Sequence, residues 1–387
     1  MTAPGSYRAA LSLHPVTAVA TGEVVGDILE TVGPGPDLAV VVAGGTHVSS
    51  LQSVVDTVRS TLGPATVLAL SSSGVVGGSR GITDQSSLSL WAGWCGPVTP
   101  VSIETASVGG DVAVRGISQF PHHGTLILAA GSEFPMAAVL EQLALQRPNL
   151  VVAGGLVASG SRLGLDSWMS PADATTAVGV VVTPGVATVA IAQSHRPVGD
   201  PMVITRARGH VIEELAGAPA LDRVDALVRS LGATDRDLLP AGLHLGMVPD
   251  EHTVDFQPDD FVVRRVLGAV RNTRAIAIAG DAVVGSVVQF HVHDPAMAGS
   301  ELQRVLSHGP AAGALLFSCA GRGQALVEGS DHDPSIVSEA LDTAAVGGVL
   351  CSGEIGPVGQ RSWLHSFTAT VVVFGAPGTE WGGDGLG

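Results

Sequence analysis

The chain has no lysine: all nineteen of its basic residues are arginines. That excludes Schiff-base catalysis and a Walker A phosphate loop, because both depend on a primary amine. Positive charge is also outnumbered, with 35 acidic residues and a formal net charge of -16. Nucleic acid and anionic membrane surfaces are held by cationic side chains that neutralise phosphate, so neither is expected as a partner. Cysteine is scarce: Cys95, Cys319 and Cys351 are an odd set without metal-ligand spacing. They are expected as free thiols in a reducing compartment, which points to the cytoplasm. Charged residues make up only 14% of the chain, little polar cover for a monomer of this size, which fits either the buried subunit interface of a homo-oligomer or simply a Gly/Ala/Val-rich interior. A bilayer-spanning apolar run is missing too. The nearest, Val178 to Ala192, is broken by Thr183, Pro184 and Gly185 and reads as a β-hairpin. Where a secretory signal needs an apolar region, Ala9 to Gly22 carries His14, Pro15 and several threonines.

Small and apolar residues are plentiful. With 387 residues and 45% apolar content the chain can build large cores, and its length suggests two domains. A strand-helix-strand order recurs. Leu38 to Ala43 is an apolar run followed by a helix from Val48 to Leu62 and a strand Thr66 to Leu70 ending in SSSGVVGG. Thr125 to Ala130 repeats the order, with a helix from Pro135 to Gln146 and a strand Leu150 to Ala153 ending in GGLVASG. Ala314 to Ser318 opens a third unit, with a helix from Pro334 to Thr343 and a strand Val346 to Leu350 ending in CSGEIGPVG. The fold class read from this is α/β: two layered α/β domains with mixed sheets, built from repeated strand-helix-strand units ending in Gly-rich loops. Between the units, Ile204 to Gln289 offers short strands around a helix at Leu221 to Ser230.

The Gly-rich segments GALLFSCAGRG and VGGVLCSGEIGPVG, followed by HSFTATVVVF, put bare N-H groups, a thiol, an arginine and a carboxylate at strand ends. Strand ends of this kind are where α/β proteins bind small polar molecules. Cys319 stands two residues before Gly321-Arg322-Gly323, so Arg322 is able to lower its pKa. A small buried residue is the commoner situation for cysteine, and Cys319 is read as lining a pocket. Glu354 either accepts a ligand ammonium or pairs with Arg322 or Arg361 to fix the loops. His365 either faces the same cleft or is structural. No metal site is expected. Asp294-Pro295 and Asp333-Pro334 read as helix starts with aspartate caps, His291 and His293 lack a third ligand, and His122-His123 is a loop pair.

The blocks LLFSCAGRG (Leu315 to Gly323), His332-Asp333, GEIGPVG (Gly353 to Gly359) and LHSFTAT (Leu364 to Thr370) resemble, in order and spacing, those of the FIST family of F-box and intracellular signal transduction proteins. ITRARGHVIEELAGAPAL (Ile204 to Leu221) resembles that family's junction, and Ser71 to Gly78 its N-terminal Gly-rich loop. The resemblance covers roughly residues 36 to 374. It implies an N-terminal extension at 1–33, a FIST N-terminal-like domain at 34–197, a FIST C-terminal-like domain at 198–376 and a flexible tail at 377–387. It further implies a bacterial intracellular sensory protein that binds a small polar metabolite such as an amino acid, without a cofactor. The ligand-binding residues expected are Ser72, Ser73, Gly74, Gly154, Gly155, Ser318, Cys319, Gly321, Arg322, Gly323, Ser352, Gly353, Glu354 and His365. The alternative is a hydrolase or acyl transferase with Cys319 as nucleophile, His365 as base and Glu354 as orienter. Nothing in the chain resembles a nucleophile elbow or a cysteine-hydrolase signature, so binding is expected over catalysis. A third reading is a protein-interaction scaffold, since some relatives carry an F-box. About thirty residues, too rich in glycine and proline for that module, stand before the first strand expected here. A sensor of this kind passes its signal through oligomerisation, closure or a downstream signalling protein.

Overall fold

The computed structural model describes residues 6–109, 111–249, 261–307, 309–324 and 329–375. The three repeated units form, each with its two strands side by side and parallel. Leu38–Gly44 pairs with Thr66–Ser71, His123–Gly131 with Asn149–Val157, and Gly313–Cys319 with Val346–Cys351. Parallel strands covered on both faces need continuous apolar runs, and LAVVVAG and GALLFSC are buried at every position. The helix of the first unit, Leu51–Thr61, buries Leu51, Val54, Val55 and Val58, the stripe of one helix face.

The strands among the described residues make four sheets. The first runs Tyr7–Ser12, Ser87–Gly93, Leu38–Gly44, Thr66–Ser71, Arg162–Leu165, Trp168–Pro171. The second runs Arg361–His365, Gly353–Val358, Asn149–Val157, His123–Gly131, Thr176–Val182, Val98–Val108, Asp111–Arg115. The third runs Ala187–Gln193, Thr368–Phe374, Gly313–Cys319, Val346–Cys351, Gly74–Gly77, Arg80–Ile82. These three meet in one core that includes Trp91, Ile127, Val178, Phe317 and Phe374. Helices cover the outer faces. Thr17–Thr31 and Leu51–Thr61 lie on the first sheet, Met136–Gln146 on the second, and Ala298–Val305 with His332–Ala340 on the third.

The fourth sheet follows the order His195–Arg208, Val287–His293, Leu243–Met247, Val262–Ala269, Ile276–Ile278, Val211–Leu215, Ala218–Pro219. A further pairing of Ile204 to Arg208 with Val211–Leu215 closes it into a ring. Leu245, Val288, Phe290 and Val292 pack together with Leu227 of the helix Ala220–Ser230. Alternation along the strands then sends His195, His244, His291 and His293 to the opposite face.

Residues 6–33, expected to precede the N-terminal domain, fold against it: Tyr7–Ser12 pairs with Ser87–Gly93 and Thr17–Thr31 buries Ala20, Val24, Val25 and Ile28. Two expectations are corrected below. The Tyr7 ring packs 5.5 Å from Trp91 and 5.3 Å from Phe374, and such aromatic pairs add about 0.5–1.5 kcal/mol beyond the area they bury. Val178 to Ala192 is not a hairpin. Thr176–Val182 pairs within the second sheet and Ala187–Gln193 within the third, so the chain changes sheet at the turn.

The Gly-rich "loops" are largely strands. Gly74–Gly77 leaves the first unit and pairs with Val346–Cys351 of the third, while Gly353–Val358 leaves the third and pairs with Asn149–Val157 of the second. Residues of both 34–197 and 198–376 therefore share the second and third sheets. Glycine is required by close approach: a Cβ on Gly154 would lie 1.9 Å from the Leu128 carbonyl oxygen, and one on Gly348 would lie 2.0 Å from that of Leu316. Both also have left-handed φ, 145° and 152°.

Candidate functional site

The third unit carries a polar interior. Its first strand, Gly313–Cys319, runs directly into the short helix Ala320–Gln324, and the Arg322 side chain is only 1% exposed. Arg322 Nε donates to Asp333 Oδ2 at 2.8 Å and Nη2 to the Ala298 carbonyl at 2.7 Å. Ser318 Oγ donates to the same Asp333 oxygen at 2.5 Å, and His332 Nδ1 lies 2.7 Å from Asp333 Oδ1. Burial pushes the Asp333 carboxyl up, but the Arg322 charge and the bonds from His332, Arg322 and Ser318 outweigh it and hold it at about 2. Asp333 was expected as a helix cap. It instead lies inside the helix His332–Ala340 and neutralises a buried guanidinium; Asp294 does cap, accepting from Ala296 N.

Glu354 sits on Gly353–Val358 and is 0% exposed. Its Oε2 accepts from Thr368 N at 3.2 Å and Thr368 Oγ1 at 2.8 Å. Burial raises its pKa to about 8, against the bonds from Thr368 and Cys319 and the charge of Arg322. It pairs with neither Arg322 nor Arg361 through a salt bridge among the described residues. Burial, then Glu354, pushes the Cys319 thiol up to about 12, although the amides of Phe367, Gly321 and Arg322 pull the other way. His365 Nε2 lies 3.0 Å from the Gly356 carbonyl, and burial takes its pKa down to about 4. A raised thiol and a lowered imidazole are the reverse of what a cysteine-histidine nucleophile pair requires.

Arg322, Glu354 and Cys319 thus come together, but inside the protein, where a water-facing loop cleft was expected. Glu354 is on a core strand and Arg322 in a buried helical turn. Two surface depressions, one lined by Asp56, Arg59 and Ser60 and the other by Thr46, Ser49, Ser161 and Arg162, contain none of these residues. Ser72 Oγ donates to the Leu350 carbonyl at 2.8 Å, and Ser73 is exposed. A Cβ on Gly74 would meet Leu350, and one on Gly155 would meet Cys351 Sγ at 2.2 Å, so both glycines serve sheet packing. Ser352 bonds the Leu156 carbonyl, Gly321 packs against Phe367, and Gly323 lies in the short helix.

Two atoms in this interior have no partner: Arg322 Nη1 and Glu354 Oε1. Beside them lies a group that strand-by-strand reading of the sequence missed. The His195 ring centroid is 4.6 Å from His244 and 5.8 Å from His293, and Phe367 packs 4.5 Å from His293. Phe367 is held in a left-handed conformation, φ 57°, with its carbonyl accepting from Ser194 Oγ at 2.7 Å. The FTAT block had marked Phe367 and Thr368, but the histidines are single residues on separate strands with no shared motif.

The FIST N domain model matches residues 37–218 and the FIST C domain model residues 220–357. The chain belongs to the FIST family. FIST domains are regarded as sensory domains of signal transduction. Among relatives, Uncharacterized protein MT0656 of Mycobacterium tuberculosis (strain CDC 1551 / Oshkosh) is 32% identical over 356 residues, covering 89% of this chain and 93% of that protein. Uncharacterized protein Mb0898c of Mycobacterium bovis is also 32% identical over 356 residues, covering 89% and 92%. The FIST models meet at 218–220, inside the closed ring of strands that begins at His195. Among the described residues no helix is long and apolar enough to cross a membrane.

Proposed function

We propose that this FIST protein senses a small polar metabolite, an amino acid or a molecule of that chemistry, enclosed between Arg322 and Glu354. The observation that supports this is the pair of orphaned buried atoms. A buried polar group without a partner costs about 1–3 kcal/mol and a charged one more, so a guanidinium N-H and a carboxyl oxygen left open near each other favour an occupant. A ligand carboxylate would accept from Arg322 Nη1 and a ligand ammonium would bond Glu354 Oε1. Because Glu354 is held at about 8, it is mostly protonated at neutral pH, and an ammonium beside it would drive its proton off. Affinity for an ammonium ligand is therefore expected to rise with pH up to about 8. Entry to so enclosed a place requires opening and reclosing, which gives a sensor two states to report. Three free buried cysteines suit a cytoplasmic setting.

Thermal-shift screening against amino acids and related metabolites, followed by calorimetry, tests this. Glu354→Gln keeps the acceptor for Thr368 and is expected to weaken binding of the best hit by about tenfold or more, the scale of a lost charge-assisted bond. Unchanged affinity in that variant would move the site elsewhere.

A further inference from the structure

We propose that His195 and His293, together with Arg322, form a binding site for an oxyanion, a carboxylate or phosphate group, on the outer face of the ring of strands. The inference deepens the reading of the Arg322 and Glu354 pair and rests on the part of it that gives Arg322 Nη1 a ligand: it assigns the further donors that receive the ligand's negative end. His195 stands directly opposite His293 on the neighbouring strand, with the ring centroids 5.8 Å apart. The two are 4% and 2% exposed, and Nδ1 and Nε2 of His195, Nε2 of His293 and Nη1 of Arg322 are all buried without a partner. Arg322 lies close enough for its charge to act on both rings. A guanidinium only donates, and a neutral imidazole has one N-H to give. These groups leave one another unsatisfied, so an occupant bearing acceptors is what they lack.

The charge around the rings selects an anion. Arg322 acts on His195 and His293, and Arg265 acts on His244, whose ring lies 4.6 Å from His195. Burial, ahead of these charges, keeps all three imidazoles neutral, so the positive charge here belongs to the guanidinium groups. The nearby carboxylates are already engaged: Asp333 accepts from Arg322 Nε, and Asp294 accepts from Arg196. Because Arg322 Nε is bonded to Asp333 and Nη2 to the Ala298 carbonyl, Nη1 is the nitrogen left open to a ligand. An oxyanion does not require its donors to point at one atom. Its oxygens accept from several directions, so a guanidinium N-H and imidazole N-H groups from adjacent strands can share it.

Phe367 supplies the apolar wall. Its ring centroid lies 4.5 Å from that of His293 and 6.0 Å from that of His195, and the same ring packs against Gly321 beside Arg322. A phenyl ring in that place keeps water off the donors, and hydrogen bonds to a charged group are strongest where water is excluded. Glu354 feels the Arg322 charge and bonds Thr368, the residue after Phe367, so an ammonium held there and an oxyanion held by the histidines would belong to one enclosed molecule.

The test uses the full chain and two probes that carry no ammonium, inorganic phosphate and succinate, each titrated by calorimetry at constant ionic strength. One anion per chain is expected to bind saturably, and the tighter of the two identifies the natural group as phosphate or carboxylate. His195→Leu and His293→Leu each remove an N-H that no protein group uses, so the fold is expected to survive while affinity for the tighter probe falls by about tenfold or more. His293→Gln keeps an N-H donor and is expected to recover part of that loss. In the native chain labelled with nitrogen-15 at histidine, two sets of ring signals are expected to shift on addition of the probe, a result that needs no variant. A chain that binds neither anion saturably, ring signals that stay in place, affinity unaltered in both leucine variants, or a glutamine variant no better than the leucine one would each overturn the site. An amino acid bound through Glu354 while both anions fail would leave the Arg322 and Glu354 reading standing. Histidine-dependent anion binding with no Glu354-dependent ligand would remove the ammonium half of that reading and keep the oxyanion site.

Discussion

The first and third strand-helix-strand units share a plan and differ in what their crossing strand carries. After Thr66–Ser71 the chain continues as Ser72-Ser73-Gly74-Val75-Val76-Gly77, and after Val346–Cys351, with one residue fewer before the glycine, as Ser352-Gly353-Glu354-Ile355-Gly356. Both segments leave their own unit and pair with another. Val75 and Glu354 occupy matching places and both are 0% exposed. One completes an apolar core and the other brings a carboxyl beside Cys319 and the buried Arg322–Asp333 pair. The comparison teaches that glycine spacing sets the path of these strands, while a single residue at the crossing decides whether the interior is wholly apolar or carries an ionisable group.

The strongest way to break the comparison is to remove what keeps the third unit's interior neutral. Asp333→Ala leaves the Arg322 charge buried without its partner and is expected to cost about 3–5 kcal/mol in urea unfolding. Shared geometry comes next: Gly154→Ala and Gly348→Ala each drive a Cβ onto a neighbouring carbonyl at positive φ, so both should lose about 3 kcal/mol and by similar amounts. A large gap between the two would show that the units are not equivalent.

Glu354→Gln sharpens the difference through pH. Burial raises Glu354 from 4.5 to about 8, so the folded chain keeps a proton that the unfolded chain has lost, and stability falls as pH climbs through that window. His244, His291, His293 and His365 are lowered from 6.5 to about 4 and act in the opposite sense, with stability falling as pH drops from 6.5 towards 4. Between about pH 7.5 and 8.5, a unit or more above the ordinary histidine value, these histidines are close to neutral in both states. The Glu354 slope should stand out there in denaturant midpoints and vanish in Glu354→Gln. The smallest effect is expected from Ser73→Ala: an exposed serine beside the inert crossing strand should change stability by less than about 0.5 kcal/mol and ligand affinity not at all.

The three parallel pairs were legible because a buried parallel strand leaves a continuous apolar run and its helix a 3.6-residue stripe. Gly353 and Glu354 were legible as unusual, but GEIGPVG reads equally well as a turn and as a strand. The same backbone freedom that lets glycine turn also lets two sheets approach closely. Asp333 was misread for a similar reason: aspartate before proline is a sound cap signal, and its competing use by Arg322 depends on a residue eleven positions away folding back against it. Tyr7–Ser12 was missed because YRAALS is short and only partly apolar, and its partner lies at Ser87–Gly93.

Local pattern alone established the repeated units, the free thiols, the lack of amine chemistry and the motifs of a FIST chain, because each depends on composition or on neighbours within a few turns of backbone. Tertiary packing settled which sheet each crossing strand joins, that Arg322 and Glu354 are interior, and that His195, His244 and His293 meet. Those outcomes depend on desolvation and on contacts between residues as far as 278 positions apart, and burial, unlike periodicity, is a property of the whole assembly.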